Sequence, residues 1–180
     1  MEKITSKYYR TKIVPELKEL FELKNVNEVP KIVKVSINAG LGRSLKDARF
    51  SDAVEMTLKN ITGQKPVKTL AKKSISSFKI REGMPVGMIV TLRGTRMWNF
   101  IDKIRSITFA RVRDFRGISE SAIDKHGNFS YGFREQIAFP EVAIDEAEIL
   151  HGLQVNITTT CKTQKEGLRL FRALGFPFKK

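Results

Sequence analysis

Three stretches of the chain alternate apolar and polar residues with a period of two, and this alternation limits the possible folds more than any other feature. Val33, Val35 and Ile37 face one way while Lys34, Ser36 and Asn38 face the other. Val86, Met88, Val90 and Leu92 oppose Thr91 and Arg93, with Ile89 breaking the polar side. Leu153, Val155 and Ile157 alternate with Gln154, Asn156, Thr158 and Thr160. Such a period belongs to strands that bury one side only. A further strand starts near Pro66 and fades by Ala71, whereas Gly117 to Gly132 is turn-rich and is read as an irregular loop. Helical spacing links Tyr9, Ile13, Leu17, Leu20 and Phe21, with Pro15 predicting a kink or restart. Other helices are predicted over about Asp47 to Ile61, ending at Gly63, from a Thr95 cap to Ile104, and over about Gln164 to Leu174. No linker or repeat divides the sequence. The economical reading is one α+β domain over residues 1–180: an antiparallel-rich sheet with helices packed on one face and a polar opposite face.

Charge suggests what that polar face meets. Lysine and arginine number 33 against 19 acidic residues, a net +14 with a pI of about 10.0. So large an excess opposes compaction by self-repulsion and usually answers a polyanion. Nucleic acid comes first and an anionic membrane second. Lys34, Ser36, Asn38, Thr91 and Arg93, with Gln154, Asn156, Thr158 and Thr160, offer amides, hydroxyls and cations to phosphates, sugars and base edges. The face lacks the aromatics on which an RRM sheet stacks single-stranded bases, so structured RNA suits it better. A merely solvated face would alternate in the same way; the net charge turns the reading toward RNA.

Two further segments are strongly basic. Residues 65 to 81 carry Lys65, Lys68, Lys72, Lys73, Lys79 and Arg81 without an acid, interspersed with Ser74, Ser76 and Ser77. Point charges on a long basic loop, about residues 72–85, suit phosphate contacts. Arg111, Arg113 and Arg116 offer guanidinium forks either to RNA or to Asp114 and Glu120. Catalytic signatures are lacking. Gly40-x-Gly42 has Leu45 where a dinucleotide fingerprint needs glycine, and no Gly-Lys-Ser/Thr follows a glycine loop. His126, His151 and the lone Cys161 form no metal spacing, so neither metal nor cofactor is expected. The acids Glu141, Asp145, Glu146 and Glu148 read as a solvated loop or as a patch for a basic partner. One cysteine fits a reducing compartment, and no run approaches the roughly 18 apolar residues that span a bilayer. A cytoplasmic, non-enzymatic RNA-binding protein is the expectation.

Specific motifs now bear on the family. In order along the chain come Val29-Pro30-Lys31-Ile32, Asn38-Ala39-Gly40-Leu41-Gly42, Ile61-Thr62-Gly63-Gln64-Lys65-Pro66, Phe78-Lys79-Ile80-Arg81-Glu82-Gly83, Val90-Thr91-Leu92-Arg93-Gly94 and Arg113-Asp114-Phe115-Arg116-Gly117. Glu135-Gln136-Ile137-Ala138-Phe139-Pro140-Glu141 and Phe176-Pro177-Phe178 complete the series. In this collinear order, from about Tyr8 to Phe178, the chain resembles the universal 5S-rRNA-binding family, protein five of the large ribosomal subunit, in its bacterial form. The resemblance implies a ribosome-bound structural role in the central protuberance, with large-subunit rRNA and neighbouring proteins as partners. It implies that Lys34, Ser36, Asn38, Gln64, Lys65, Lys68, Thr91 and Arg93 contact 5S rRNA. It further implies that Lys72, Lys73, Ser74, Ser77, Lys79 and Arg81 approach P-site tRNA, and that a small-subunit head protein lies across the subunit interface. Ala110, Lys125-His126 and Cys161 depart from the family pattern, all outside those contacts. A non-ribosomal basic RNA regulator or chaperone is the alternative, which co-sedimentation with large subunits would eliminate.

Overall fold

The alternating segments become strands of one antiparallel sheet. A computed structural model describes residues 3–45, 48–142 and 149–179. Its strands are β1 (Ile32–Gly40), β2 (Val67–Leu70), β3 (Pro85–Leu92), β4 (Phe129–Phe133) and β5 (Leu153–Thr159), in the order β2-β3-β1-β5-β4. Val35, Ile37, Met88, Val90, Leu92, Leu153, Val155 and Ile157 are buried, as their alternation predicts. Val33 departs from it at 37% exposure, because Ile32 takes the buried place at that end of β1. Strand β4 corrects the irregular loop expected over residues 117–132, which also holds a 3-10 turn at Glu120–Ala122. Phe129 and Phe133 supply the buried side of β4, and aromatic side chains pack well on a pleated surface. The expected helix start at Asp47 and the acids Asp145, Glu146 and Glu148 lie outside the described residues.

The chain forms two compact units, and β1, β3, β4 and β5 contribute residues to both. The first comprises Met1–Val35, Leu92–Tyr131 and Asn156–Lys180. It opens with α1 (Ser6–Tyr8), capped by the Thr5 side chain, then a π-turn over Tyr9–Ile13 and α2 (Val14–Leu20). Pro15 has no N–H, and its ring would crowd the carbonyl four residues back; the wider turn before α2 relieves that conflict. The Tyr9 hydroxyl donates to Pro30 O at 2.6 Å beneath Trp98, and burial, with Cys161 adding to it, pushes its pKa up to about 12. Helix α4 (Gly94–Lys103) continues through a π-turn into α5 (Phe109–Arg111), beyond the predicted end at Ile104. Its N-cap is Arg93 with no side-chain bond, so Thr95 is not the cap: the helix has already begun at Gly94. Helix α6 (Gln164–Ala173), capped by Thr163, closes the unit. Phe109, Phe129, Phe171 and Phe176 form its aromatic core, with centroids 5.1 to 6.0 Å apart.

The second unit comprises Ser36–Thr91 and Gly132–Val155. Helix α3 (Ala48–Thr62) buries Val54, Leu58 and Ile61, and ends where Gly63 adopts φ +66°. Buried Gln136 braces the chain on both sides of residue 150: its Nε2 donates to Ile149 O at 2.9 Å and its Oε1 accepts from His151 N at 2.8 Å. The His151 ring is buried against Phe50. Burial lowers its pKa below the ordinary 6.5, partly offset by the Gly152 carbonyl. The folded ring resists a proton that the unfolded chain accepts, so this contribution to stability is present above about pH 6.5 and is lost as pH falls. Urea midpoints of wild type and His151→Phe are therefore expected to diverge between pH 7 and 5, with wild type losing more. Equal losses would show that the buried ring carries no acid sensitivity.

Candidate nucleic-acid interface

Strand register decides which polar side chains share a surface. On β1, Ser36 is half-buried and Asn38 exposed, opposite in parity to buried Val35, Ile37 and Ala39. Strand β2 pairs antiparallel with β3, placing Val67 opposite Ile89, Lys68 opposite Met88 and Thr69 opposite Gly87. Cross-strand partners share a face. A Cβ on Gly87 would lie 3.0 Å from Thr69 Oγ1, 3.2 Å from the Ala39 carbonyl oxygen and 3.7 Å from Asn38 Oδ1. The bare glycine thus lets the Asn38 amide and the Thr69 hydroxyl converge over the middle of three strands. Thr91 lies two strand repeats farther along the same side of β3, and Gln64 Nε2 donates to the Thr91 carbonyl at 3.4 Å.

Not every expected residue joins that face. Lys68 shares its side with core Met88, so it stands on the opposite side of β2 from Thr69. Its Nζ lies 3.6 Å from Glu55 of α3, and Lys65 Nζ lies 3.9 Å from the same carboxyl group. Both lysines are substantially exposed, so the pairs hold them in place only weakly. The second unit therefore groups Ser36, Asn38, Thr69 and Thr91 on an amide and hydroxyl face, and gathers Lys65 and Lys68 around Glu55. Lys34 and Arg93 fall in the first unit, Lys34 half-buried on the Ser36 side of β1 and Arg93 exposed ahead of α4. Thr69 and Glu55 were not singled out from sequence. Period two counted back from the β2–β3 pairing finds Thr69, but no local signal finds Glu55.

The long basic loop forms a hairpin arm between β2 and β3. Ala71 N donates to Met84 O at 2.8 Å and Gly83 N to Ala71 O at 3.0 Å. Farther out, Ile75 and Ile80 exchange both backbone bonds, at 2.9 and 3.1 Å. A 3-10 turn at Ser76–Phe78 and a left-handed Lys79, φ +55°, close the tip. Lys72, Lys73, Ser74, Ser77, Lys79 and Arg81 are all exposed along it. Ser74 also braces the arm, its Oγ accepting from Glu82 N at 2.9 Å.

In the first unit, Arg111 ends α5, and Arg113 and Arg116 are exposed around Asp114, which takes φ +52°. Glu120, an expected partner for them, instead meets Arg172 at 2.6 Å. Lys179 joins the cluster, since its backbone packs within 3.0 Å of the Cβ position of Gly117. This unit holds 22 basic and 10 acidic residues, a net +12, while the second unit, with 11 and 9, carries only +2. Among the described residues no group of histidine, cysteine and carboxylate could hold a metal ion, and no helix is long and apolar enough to cross a membrane.

Comparison with known proteins identifies the family. Residues 25–81 match the family described as Ribosomal protein L5, and residues 85–178 match the C-terminus of the same ribosomal protein family. The large ribosomal subunit protein uL5 of Trichodesmium erythraeum is 48% identical, over 96% of this chain and 96% of its own. That of Desulforapulum autotrophicum is 51% identical over 95% and 96%, and uL5c of Rhodomonas salina is 48% identical over 95% and 94%. Matched over residues 25–81 and 85–178 by the two family models, and along nearly its whole length by these relatives, the chain belongs to the L5 family of ribosomal proteins.

Proposed function

We propose that the chain is a non-enzymatic constituent of the large ribosomal subunit that holds 5S rRNA on the second unit's amide and hydroxyl face. The observation that carries this is the convergence of Asn38 and Thr69 over side-chain-free Gly87, with Thr91 on the same strand face. Asn38, Thr69 and Thr91 bring short donors and acceptors from three strands to one face, with Asn38 and Thr69 packed over Gly87. That geometry suits sugars, 2′-hydroxyls and phosphates of a folded RNA, which are read by shape rather than by splayed bases. Lys65 and Lys68, near Glu55 with Lys68 on the other side of edge strand β2, add charge at the rim of the sheet.

The remaining partners follow the same chemistry. The basic arm approaches P-site tRNA, while the Arg111, Arg113 and Arg116 cluster of the strongly cationic first unit meets large-subunit rRNA. A small-subunit head protein lies across the subunit interface, and neighbouring large-subunit proteins are further partners.

Filter binding of the purified protein to 5S rRNA, with tRNA and a random duplex as competitors, tests the central reading. Binding that survives excess competitor supports it, whereas equal affinity for all three RNAs overturns it. Asn38→Ala is expected to weaken 5S binding by about 1 kcal/mol, roughly fivefold, the net contribution of one hydrogen bond. An unchanged affinity would remove Asn38 from the contact.

A further inference from the structure

Of the six exposed large apolar side chains described in the second unit, four lie in β2 and the arm that follows it. Val67, Leu70, Ile75 and Phe78 are 65, 58, 45 and 67% exposed. Phe78 is the extreme case: a full aromatic ring in water at the very tip of the arm. Water does not favour that placement, and an exposed apolar group rimmed by polar ones marks a binding surface. The tip is not a loose end whose ring merely failed to find the core. The Ile75–Ile80 backbone pair, the Ser76–Phe78 turn and left-handed Lys79 give it a defined hairpin shape.

The surroundings of the ring select its partner. From residue 65 to 85 there are six basic residues and one acid, Glu82. Lys72, Lys73, Lys79 and Arg81 are exposed near Phe78 in sequence on the arm. A ligand that is flat and apolar in one part and anionic in the next matches both features. An unpaired nucleobase on its own phosphate backbone has that combination, since every base presents a π-face. A blunt duplex has the phosphates but hides its base faces, and an acidic peptide has the charge without the plane.

We infer that the arm tip is a stacking site for an unpaired or terminal base of an RNA loop, with Phe78 as the platform, Ile75 bordering it and Lys72, Lys73, Lys79 and Arg81 tracking the adjoining phosphates. This rests on the arm being an RNA contact, and adds to it a selectivity that phosphate contacts alone cannot provide. The apolar platform discriminates loops from helices; the cations bind both.

The test uses the full-length protein and an RNA stem-loop carrying 2-aminopurine at an unpaired loop position, with the same sequence annealed to its complement as a blunt duplex. Stacking quenches the fluorophore. Wild type and Phe78→Tyr are expected to quench it, and Phe78→Ala to abolish the quench and weaken stem-loop binding about tenfold. Duplex binding should change less than about twofold, since phosphate contacts remain. The dependence of stem-loop affinity on salt should keep its slope in Phe78→Ala, since no phosphate contact is removed, and lose about one to two units in Lys72→Ala with Lys73→Ala. Phe78 is exposed, and an unchanged urea midpoint confirms that the variant folds. Equal losses on loop and duplex, or none on either, would overturn the proposal. So would a Phe78→Ala defect confined to anionic vesicles or to an acidic peptide. Wild type that binds no 5S rRNA sinks the function proposed above; wild type that binds it while Phe78→Ala leaves the loop unaffected sinks this inference alone.

Discussion

Replacing Gly167 with alanine is expected to destabilise the protein by about 1–2 kcal/mol net, against the helix propensity of the two residues. Within α6, alanine should gain about 1 kcal/mol over glycine. The contact on the other side is decisive. A Cβ at residue 167 would lie 2.6 Å from Gly127 Cα, 2.7 Å from Gly127 O and 3.0 Å from its carbonyl carbon. These are backbone atoms and cannot rotate away. Nor can Gly127 withdraw: it takes φ +75°, its carbonyl accepts from Thr159 Oγ1 at 2.9 Å, and its own Cβ position abuts the Cβ of Cys161. Overpacking of this kind typically costs about 1–3 kcal/mol and occasionally more, enough to exceed the propensity gain. Urea denaturation should show a lower midpoint with an unchanged slope. Gly132→Ala is the control, because nothing lies within 4 Å of its Cβ position. A Gly167→Ala protein as stable as wild type or more so would refute the close approach of the two backbones.

That contact also marks where sequence reasoning stops. Strands β1, β3 and β5 were legible because each buries one side, and a period of two is the direct trace of that burial. The kink at Pro15 was legible because proline's missing N–H is a local property, although the π-turn that absorbs it was not. Strand β4 was missed: its five residues include Gly132, and the turn residues before Phe129 conceal a short edge strand whose only evidence is its aromatics. The Gly127–Gly167 contact joins residues far apart in the chain, and neither has a neighbouring pattern that predicts it.

The candidate interface divides along the same line. Ser36, Asn38 and Thr91 followed from alternation within their own strands. Lys68 did not, because its side depends on pairing with Met88, and register is set between strands. Thr69 was hidden for the same reason. The arm looked like a loop since its stabilising bonds, from Ala71 to Met84 and from Ile75 to Ile80, are made by backbone, to which composition is blind. Its basic residues were plain from sequence, whereas the exposure of Phe78 was not: a phenylalanine between Ser77 and Lys79 reads equally well as core.

The largest expected effect is electrostatic. With about six phosphates neutralised, log affinity for 5S rRNA should fall against log salt with a slope of roughly −4 to −5, as bound counterions are released. Between about 50 and 200 mM salt that is a loss of several hundredfold to about a thousandfold. A flat response would refute an RNA contact built on cations. The slope also counts contributions residue by residue. Lys65→Gln with Lys68→Gln should reduce it by about one to two units, because the weak, exposed pairs with Glu55 leave both lysines open to phosphate. Arg111→Gln, Arg113→Gln and Arg116→Gln together distinguish the roles open to that cluster. If these arginines meet 5S rRNA themselves, the slope should lose about two to three units. If they serve large-subunit rRNA, the 5S slope should hold while binding to a large-subunit rRNA fragment loses the same amount. If they only stabilise the first unit, both slopes should hold and the urea midpoint alone should fall. With a net +12 on the first unit and Glu120 paired with Arg172, the expected result is the second, because so large a basic excess favours a second polyanionic partner for that unit.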